Sequence, residues 1–432
     1  MLSESKYLNR QNWSMFSLIV MIAGLLFSKF LITLSFVFLL AQAVINPDVI
    51  SLLKNYLKQP AFMAITAIFF IYIFSVPYSE DLNYALERIR IKLPFLLLPF
   101  AFFAIPKMND KVYFRLVYFF FWLMATICLV LVTIYLYDIN YYTELYKKGQ
   151  IFPTPIQHIR FSLLVCVAIS IGVYLLIQSG GDSKSPPDLR LENDLRSPPD
   201  LPFLTSNKLE QKIVLALILF MIVFLHVLAV RSGLLALYLL FIFFIIYYIL
   251  KTKKYLVGGV LFFGIVLFGI IGSQYIPTLK NKISYMRYSV DLFFKNENIR
   301  ELSDSRRLAS IQAGWALGKA HPILGIGVGD IRKETNEYLE KNYPSLANLG
   351  LLPHNQYVFY FAVTGLLGLG LFLVLTCFPL FYKKAYLDLF FVSHHIIYFS
   401  SFLVEHTLET QIGTTSYLLF LLLGMRHFSE RN

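Results

Sequence analysis

The sequence predicts an all-α polytopic membrane protein, with about twelve transmembrane helices and one long hydrophilic loop between the ninth and tenth. Three observations carry this expectation. Hydrophobic residues make up 57% of 432 positions and charged residues only 15%, where soluble domains carry about 25% charged residues. The apolar residues fall in runs near the ~20 helical residues that cross ~30 Å of hydrocarbon. Those runs are continuous rather than alternating every second residue, so helices, not barrel strands, would satisfy the backbone.

Taken in order, residues 14–46 form one apolar run interrupted by Lys29. As a single helix it would be about 50 Å long, too long for one crossing, so two short spans are expected, joined by a turn at Ser28-Lys29. Further spans are expected at 60–77, 93–106, 112–137, 159–178, 212–230, 233–250, 255–273, 355–381, 386–403 and 413–426. The first apolar run starts near Ser14, after Lys6 and Arg10, and lacks a small-residue cleavage site, so no cleavable signal peptide is expected. Cys128, Cys166 and Cys377 all lie inside apolar runs, which argues against a disulfide framework or a metal cluster.

The net charge of +12 would suggest nucleic acid in a soluble protein. Here the positive-inside rule accounts for it. With the N-terminus inside, the inner loops hold Lys54, Lys58, Lys107, Lys111, Lys208, Lys212, Lys251, Lys253, Lys254, Lys383 and Lys384. Arg88, Arg90 and Lys92 then fall outside. Leu82, Ala85, Leu86, Ile89 and Leu93 recur at helical spacing there, so an amphipathic helix lying on the outer face is expected.

Two hydrophilic segments read differently. The inner loop 179–210 repeats Ser185-Pro-Pro-Asp-Leu189 as Ser197-Pro-Pro-Asp-Leu201 and is expected to be a disordered insertion without chemistry. The outer loop 274–353 is expected to be a small folded cap. Ser303-Asp304-Ser305 starts a helix with Leu308, Ile311 and Trp315 on one face, and His321-Pro322 ends it. Gly325, Gly327 and Gly329 do not match a nucleotide-binding pattern, and a tight loop is the default. The chain thus divides into spans one to nine over 1–273, the cap over 274–353 and the last three spans over 354–432.

This topology places a set of ionisable residues on one side. His158 and Arg160 start the sixth span, Arg231 sits at a short turn, Arg306 and Arg307 begin the cap helix, and His354 and Asn355 open the tenth span. Glu405, His406 and Glu409 lie between the last two spans. Each has a bland reading. An arginine at a helix end often snorkels to headgroups, and arginines on a loop helix are usually solvated. His394-His395, inside a span, offers too few ligands for a metal, and packing is favoured. Together, outward arginines around one mouth suit an anionic ligand arriving from the membrane, because guanidinium forks match phosphate oxygens. A lipid diphosphate fits that description. A neutral histidine beside it can accept a proton from an attacking hydroxyl, and fixed cations can stabilise a diphosphate leaving group without a metal. Tyr141, Tyr142 and Tyr146 are placed to stack on sugars, or to form an aromatic belt. The rival from another class is a transporter or flippase for an anionic lipid, which predicts charges near the midplane and internal repeats. No clear repeat is present, and the charges sit at one face.

These residues resemble the O-antigen ligase family of bacterial inner-membrane proteins, which includes O-antigen polymerases and protein O-oligosaccharyltransferases. The resemblance lies in Ser305-Arg306-Arg307 through Trp315, then His321-Pro322 with Gly325, Gly327 and Gly329, then His354-Asn355 with Gly365 and Gly368. Arg231-Ser232-Gly233 is similar to the family's Ser-Arg-Gly element, although here the serine follows the arginine. Leu408-Glu409-Thr410-Gln411-Ile412-Gly413 looks like the start of the final span in Bacteroidetes-type members. The resemblance covers about 210–425 and is only architectural before that. It implies a GT-C-like glycosyltransferase of the inner membrane, with its active site facing the periplasm and no cofactor. The implied reaction moves a glycan from undecaprenyl diphosphate to a hydroxyl of lipid A–core, with inversion. Polymerisation and protein O-glycosylation are the alternatives. His354 would activate the acceptor and Arg231 and Arg160 would hold the diphosphate. Arg306 or Arg307, with His158, Asn355, Glu405 and Glu409, would complete the substrate site.

Overall fold

A computed structural model describes residues 2–106, 108–148, 150–179, 208–295 and 297–431. The Pro-rich repeat expected within 179–210 falls outside the described residues. The described chain is helical, with no strand among these residues. The elements are α1 (Leu2–Phe27), α2 (Lys29–Val44), α3 (Val49–Tyr56), α4 (Pro60–Ser75), α5 (Leu82–Phe103), α6 (Asp110–Tyr137), α7 (Ile139–Lys147), α8 (His158–Ser179) and α9 (Lys208–Leu228). They continue as α10 (Arg231–Thr252), α11 (Tyr255–Tyr275), α12 (Pro277–Phe294), α13 (Ser303–Ala320), α14 (Ile331–Asn342), α15 (Gln356–Phe381), α16 (Leu389–Val404) and α17 (Gln411–Arg431). Among the described residues, 7 helices are long and apolar enough to cross a membrane, or up to 8 if the bent pair α2–α3 is one span. These long apolar helices mark a membrane protein. The count of twelve and the side on which 274–353 lies stay expectations.

The first apolar run is a helical hairpin. Ser28 breaks it and caps α2, its hydroxyl accepting from the Leu31 amide at 3.4 Å. The two arms then pack side by side, with Trp13 edge-on to Phe38 at 5.7 Å and the Ser14 hydroxyl donating to Gln42 at 3.0 Å.

The 82–106 region departs from expectation. Instead of a surface helix followed by a span, α5 is one continuous helix, and Lys92 is wholly buried in the bundle. Its ammonium donates to Glu409 Oε1 at 2.7 Å and to the Leu408 carbonyl at 2.7 Å. The same carboxylate oxygen accepts from the Tyr72 hydroxyl at 2.6 Å and the Gln356 amide at 2.9 Å. A buried charge is tolerated only when paired and hydrogen-bonded. This cluster meets that condition and ties α4, α5, α15 and the 407–409 turn into one unit.

The segment between α11 and α15 has a small core of its own, built from Phe293, Ile299, Leu302, Ala309, Ala313, Leu339 and Leu346. The face of α13 that packs inward is not the one expected. Trp315 is exposed and Leu308 and Ile311 only partly buried, while Ala309, Ala313, Gly314, Leu317 and Gly318 are covered. Small residues let α13 lie close to α15: a Cβ on Gly314 would sit 2.6 Å from Pro353, and one on Gly318 would sit 2.3 Å from Phe361. Hydropathy favours large side chains and missed this face.

The glycine-rich turn after α13 is structural. Inside α15, Gly365 adopts φ 63° and breaks the helix, which frees backbone groups that must find partners. The turn supplies them. The amides of Ile326 and Gly327 donate to the carbonyls of Ala362 and Val363 at 2.9 and 3.0 Å. The amides of Leu366 and Leu367 donate in return to the carbonyls of Pro322 and Ile323 at 2.8 and 3.4 Å. Asp330 then accepts from the backbone amides of Glu80 and Asp81 at 2.9–3.0 Å, which locks the turn onto the start of α5.

Candidate functional site

One end of the bundle collects the starts of α8, α10, α13 and α15, the α1–α2 turn and the link between α16 and α17. At its centre is Glu405, which caps the C-terminus of α16 and whose side chain is 3% exposed. Arg307 Nη2 lies 3.3 Å from its Oε2, His406 Nδ1 3.3 Å from its Oε1, and His354 Nε2 3.9 Å from Oε1. The rings of His354 and His406 stand edge to face at 4.8 Å. Arg160, buried in the first turn of α8, adds its charge to this group and donates to the Gln157 side chain.

A second ion pair joins Arg231 to Asp304. The short turn before α10, with Ala229 at φ 51°, projects the arginine toward the first turn of α13. Lys282 of α12 lies close to Arg231, Asp304 and Arg307, and His158 is within electrostatic reach of Arg307 and Lys282. Burial, with the charges of Arg231 and Arg307 in support and Asp304 in opposition, pushes the Lys282 ammonium down to about 8.

Burial and the neighbouring His406 push His354 down to about 3, against Glu405 and with Arg307 assisting. His354 is therefore a neutral imidazole at physiological pH. Burial also lowers His406, against the pull of Glu405. For Glu405, burial raises the carboxyl, but His406, His354, Arg160 and Arg307 outweigh it and hold it below the usual range. The result is an ionised carboxylate flanked by two arginines and two neutral imidazoles.

Beside Arg160 opens a cavity of about 320 Å³, lined by Ser28, Lys29, Gln157, Arg160, Thr410 and Gln411 together with apolar side chains. It lies between the first hairpin turn and the start of α17. Its polar lining of ammonium, guanidinium, amide and hydroxyl groups donates well to an anion.

Residues 216–373 match a family model described as O-Antigen ligase. These residues thus form an O-antigen ligase domain, which supports membership of that family. Members of this family are glycosyltransferase-like enzymes that act on glycans. No match is found among curated proteins. The O-antigen ligase stretch contains Arg231, Lys282, Arg306, Arg307, His354 and Asn355, and it ends before Glu405. Arg160 and the 405–409 link thus come from outside it and meet it in space.

Arg160, Arg307, His354 and Glu405 stand together, with His158 and Arg231 on the flank toward Lys282. Of the paired arginines, Arg307 reaches Glu405, while the guanidinium of Arg306 makes no hydrogen bond or ion pair among the described residues. Two other residues have their side chains committed elsewhere. Asn355 caps α15, accepting from the amides of Tyr357 and Val358 at 2.9 and 3.0 Å and donating to the Leu403 carbonyl at 2.8 Å. Its task is to fix the direction of the chain just after His354. Glu409 is held in the buried cluster with Lys92. Among the tyrosines, Tyr141 is exposed, whereas Tyr146 is buried and donates to the Leu228 carbonyl at 3.1 Å. His394 packs between Tyr398 and Tyr417, as a core histidine does.

Sequence reasoning gave no site role to Lys282, Lys29, Gln157 or Ser310. Lys282 had a usable signal: Thr278, Lys282, Ser289 and Phe293 fall on one helical face of α12, and that face is buried. The others had none, because a lone polar residue at a turn or within a helix is ordinary. His354, Glu405 and His406 also offer three metal-ligand atoms within 4.8 Å of one another. Arg307 already occupies that carboxylate and Arg160 adds a second permanent charge, so a divalent cation would face strong repulsion there.

Proposed function

We propose that this protein transfers a glycan from a membrane-borne lipid diphosphate to a hydroxyl of lipid A–core at the loop end of the bundle, which we take to face the periplasm. The reading rests chiefly on one arrangement: the His354 imidazole, which burial keeps neutral, stands beside Glu405 and two arginines at one end of the bundle. The O-antigen ligase match supports it.

In this mechanism the lipid tail stays in the bilayer and the diphosphate sits in the cavity beside Arg160 and Lys29. Arg231 and Lys282 supply further positive charge near Arg307. The acceptor hydroxyl approaches His354. Its oxygen attacks the anomeric carbon from the face opposite the diphosphate, and the carbon–oxygen bond to phosphate breaks. The bonding pair leaves with the lipid diphosphate, where the fixed cations stabilise it, and the hydroxyl proton passes to His354 Nε2. Glu405 stabilises the imidazolium so formed. Attack opposite the leaving group inverts the anomeric centre, and the charges a metal would supply come from arginine and lysine.

The test is His354→Ala in a complemented deletion strain, read by the laddering of surface glycan. Loss of the ladder while carrier-linked polymer accumulates is expected for a ligase. A product of single repeats would instead indicate a polymerase, and full retention of the wild-type pattern would overturn the catalytic assignment.

A further inference from the structure

One hydroxyl holds both the backbone and the ring of His354. Ser310, in α13, is fully buried, and its Oγ makes three contacts. It lies 2.8 Å from the Arg307 carbonyl, 3.2 Å from the His354 amide nitrogen and 3.1 Å from His354 Nδ1. A serine hydroxyl has one proton and two lone pairs. The carbonyl can only accept, so it takes the proton. The amide N–H can only donate, so it fills one lone pair. The remaining lone pair is left for Nδ1, which must therefore carry hydrogen.

We propose that Ser310 is the positioning residue that fixes His354 as the Nδ1–H tautomer, so that Nε2 presents its lone pair to the reacting hydroxyl. The inference rests on the reading of His354 as the general base. The opposite tautomer fits the surroundings poorly. It would place a proton on Nε2, which lies 3.9 Å from Glu405 Oε1, beyond hydrogen-bonding distance. It would also require the serine to abandon the shorter bond to the Arg307 carbonyl. Asn355, at the next position, caps α15 and fixes the backbone just after the ring. The site thus uses a neutral hydroxyl to set the tautomer, where serine hydrolases use a carboxylate. A second carboxylate on Nδ1 would bring negative charge beside a leaving diphosphate, and a hydroxyl avoids it.

The experiment has two arms on the full-length protein in lipid nanodiscs. Transfer is assayed with purified lipid-diphosphate-linked glycan and acceptor, for wild type, Ser310→Ala and Ser310→Thr. Loss of the tautomer preference should lower kcat about 100-fold in Ser310→Ala while KM for the donor stays within about two-fold; restoring a hydroxyl in Ser310→Thr should recover most of the rate. In the second arm, nitrogen-15 NMR of labelled histidine, with His354→Ala to assign the signal, reports the tautomer of wild type directly. Nδ1–H is expected. An Nε2–H signal, or full kcat in Ser310→Ala, would overturn the proposal. If His354→Ala were itself fully active, the reading of the site would fail first. If His354→Ala is inactive and Ser310→Ala is not, only the role of Ser310 fails.

Discussion

Replacing Lys92 with Met should destabilise the bundle by about 3–5 kcal/mol at neutral pH, the range for breaking a fully buried ion pair from one side. The structure explains why little would soften the loss. Both partners are 0% exposed and 2.7 Å apart, so no water is available to solvate the abandoned carboxylate. Tyr72 and Gln356 would still donate to Glu409, at 2.6 and 2.9 Å, and both are neutral. In the native protein, burial raises Glu409, but Lys92 and Arg88 overcome it and keep the carboxyl below its usual range. Without Lys92 the balance reverses, and Glu409 should titrate above its unfolded value of about 4.3. The folded variant then binds a proton that the unfolded chain has already lost. Its stability is therefore greatest at and below about pH 4 and falls as pH rises, by up to ~1.4 kcal/mol per unit until the raised folded value is passed. Thermal unfolding followed by tryptophan fluorescence in detergent measures this. A drop on the order of 5–10 °C is expected at pH 7.5, and a smaller one at pH 5. Lys92→Met combined with Glu409→Gln should recover much of the loss, since no lone charge is then left buried. A single variant within about 1 °C of wild type, or a loss of equal size at both pH values, would refute the reasoning.

Arg231→Lys should lower transfer by about tenfold or more while leaving the protein folded, because an ammonium cannot reproduce the guanidinium fork toward phosphate; wild-type rates in a purified assay would argue against diphosphate contact. Arg307→Gln should abolish most activity and Arg306→Gln should cost little, since only Arg307 faces Glu405; the reverse order in a glycan-ladder assay would reassign the pair. Donor affinity should weaken as pH rises through about 8, where Lys282 loses its charge, and Lys282→Arg should flatten that slope in titrations with the lipid diphosphate. Gly365→Ala should misfold or lose several kcal/mol, because a Cβ there would lie 2.2 Å from the Ile323 carbonyl oxygen at a positive φ; normal expression and melting would show that the turn can move away.

Much of the architecture was legible because hydropathy reports on lipid directly. The hairpin break at Ser28, the long polar segment after α11 and the placement of Arg160, Arg231 and His354 at helix starts all followed from run lengths and breaks in them. What was not legible depends on distant pairs. Lys92 looks like an interfacial charge in its own helix, and only a carboxylate 317 positions away makes its burial possible. Glu405 was grouped with Glu409 as a ligand, yet the two differ entirely: one faces arginine and imidazole at the mouth, the other is sealed beneath tyrosine and glutamine. Four residues of sequence separation do not reveal that, because the chain between them turns in a short 3-10 helix, Thr407–Glu409, rather than continuing as a strand or α-helix. The inward face of α13 was missed for the opposite reason, since close backbone contact is made by the smallest side chains.

The sealed carboxylate also explains how the mouth keeps its shape. Glu405 and His406 sit on a link whose far end is clamped by Lys92 and Gln356, the latter accepting the Leu408 amide at 2.8 Å. Gln356 itself lies two residues beyond His354, and Asn355 between them caps α15 and reaches the Leu403 carbonyl just before Glu405. The His354 and Glu405 segments of the site are therefore cross-braced twice, on either side of the 3.9 Å gap between their side chains. The other approach to His354 comes from α13, and that helix is held by the glycine turn stitched into the break at Gly365. Neither anchor touches the space where substrate would lie. A site assembled from loop and bundle in this way needs little from the loop's own stability, because each half is fixed to α15 within about three turns of the His354 imidazole.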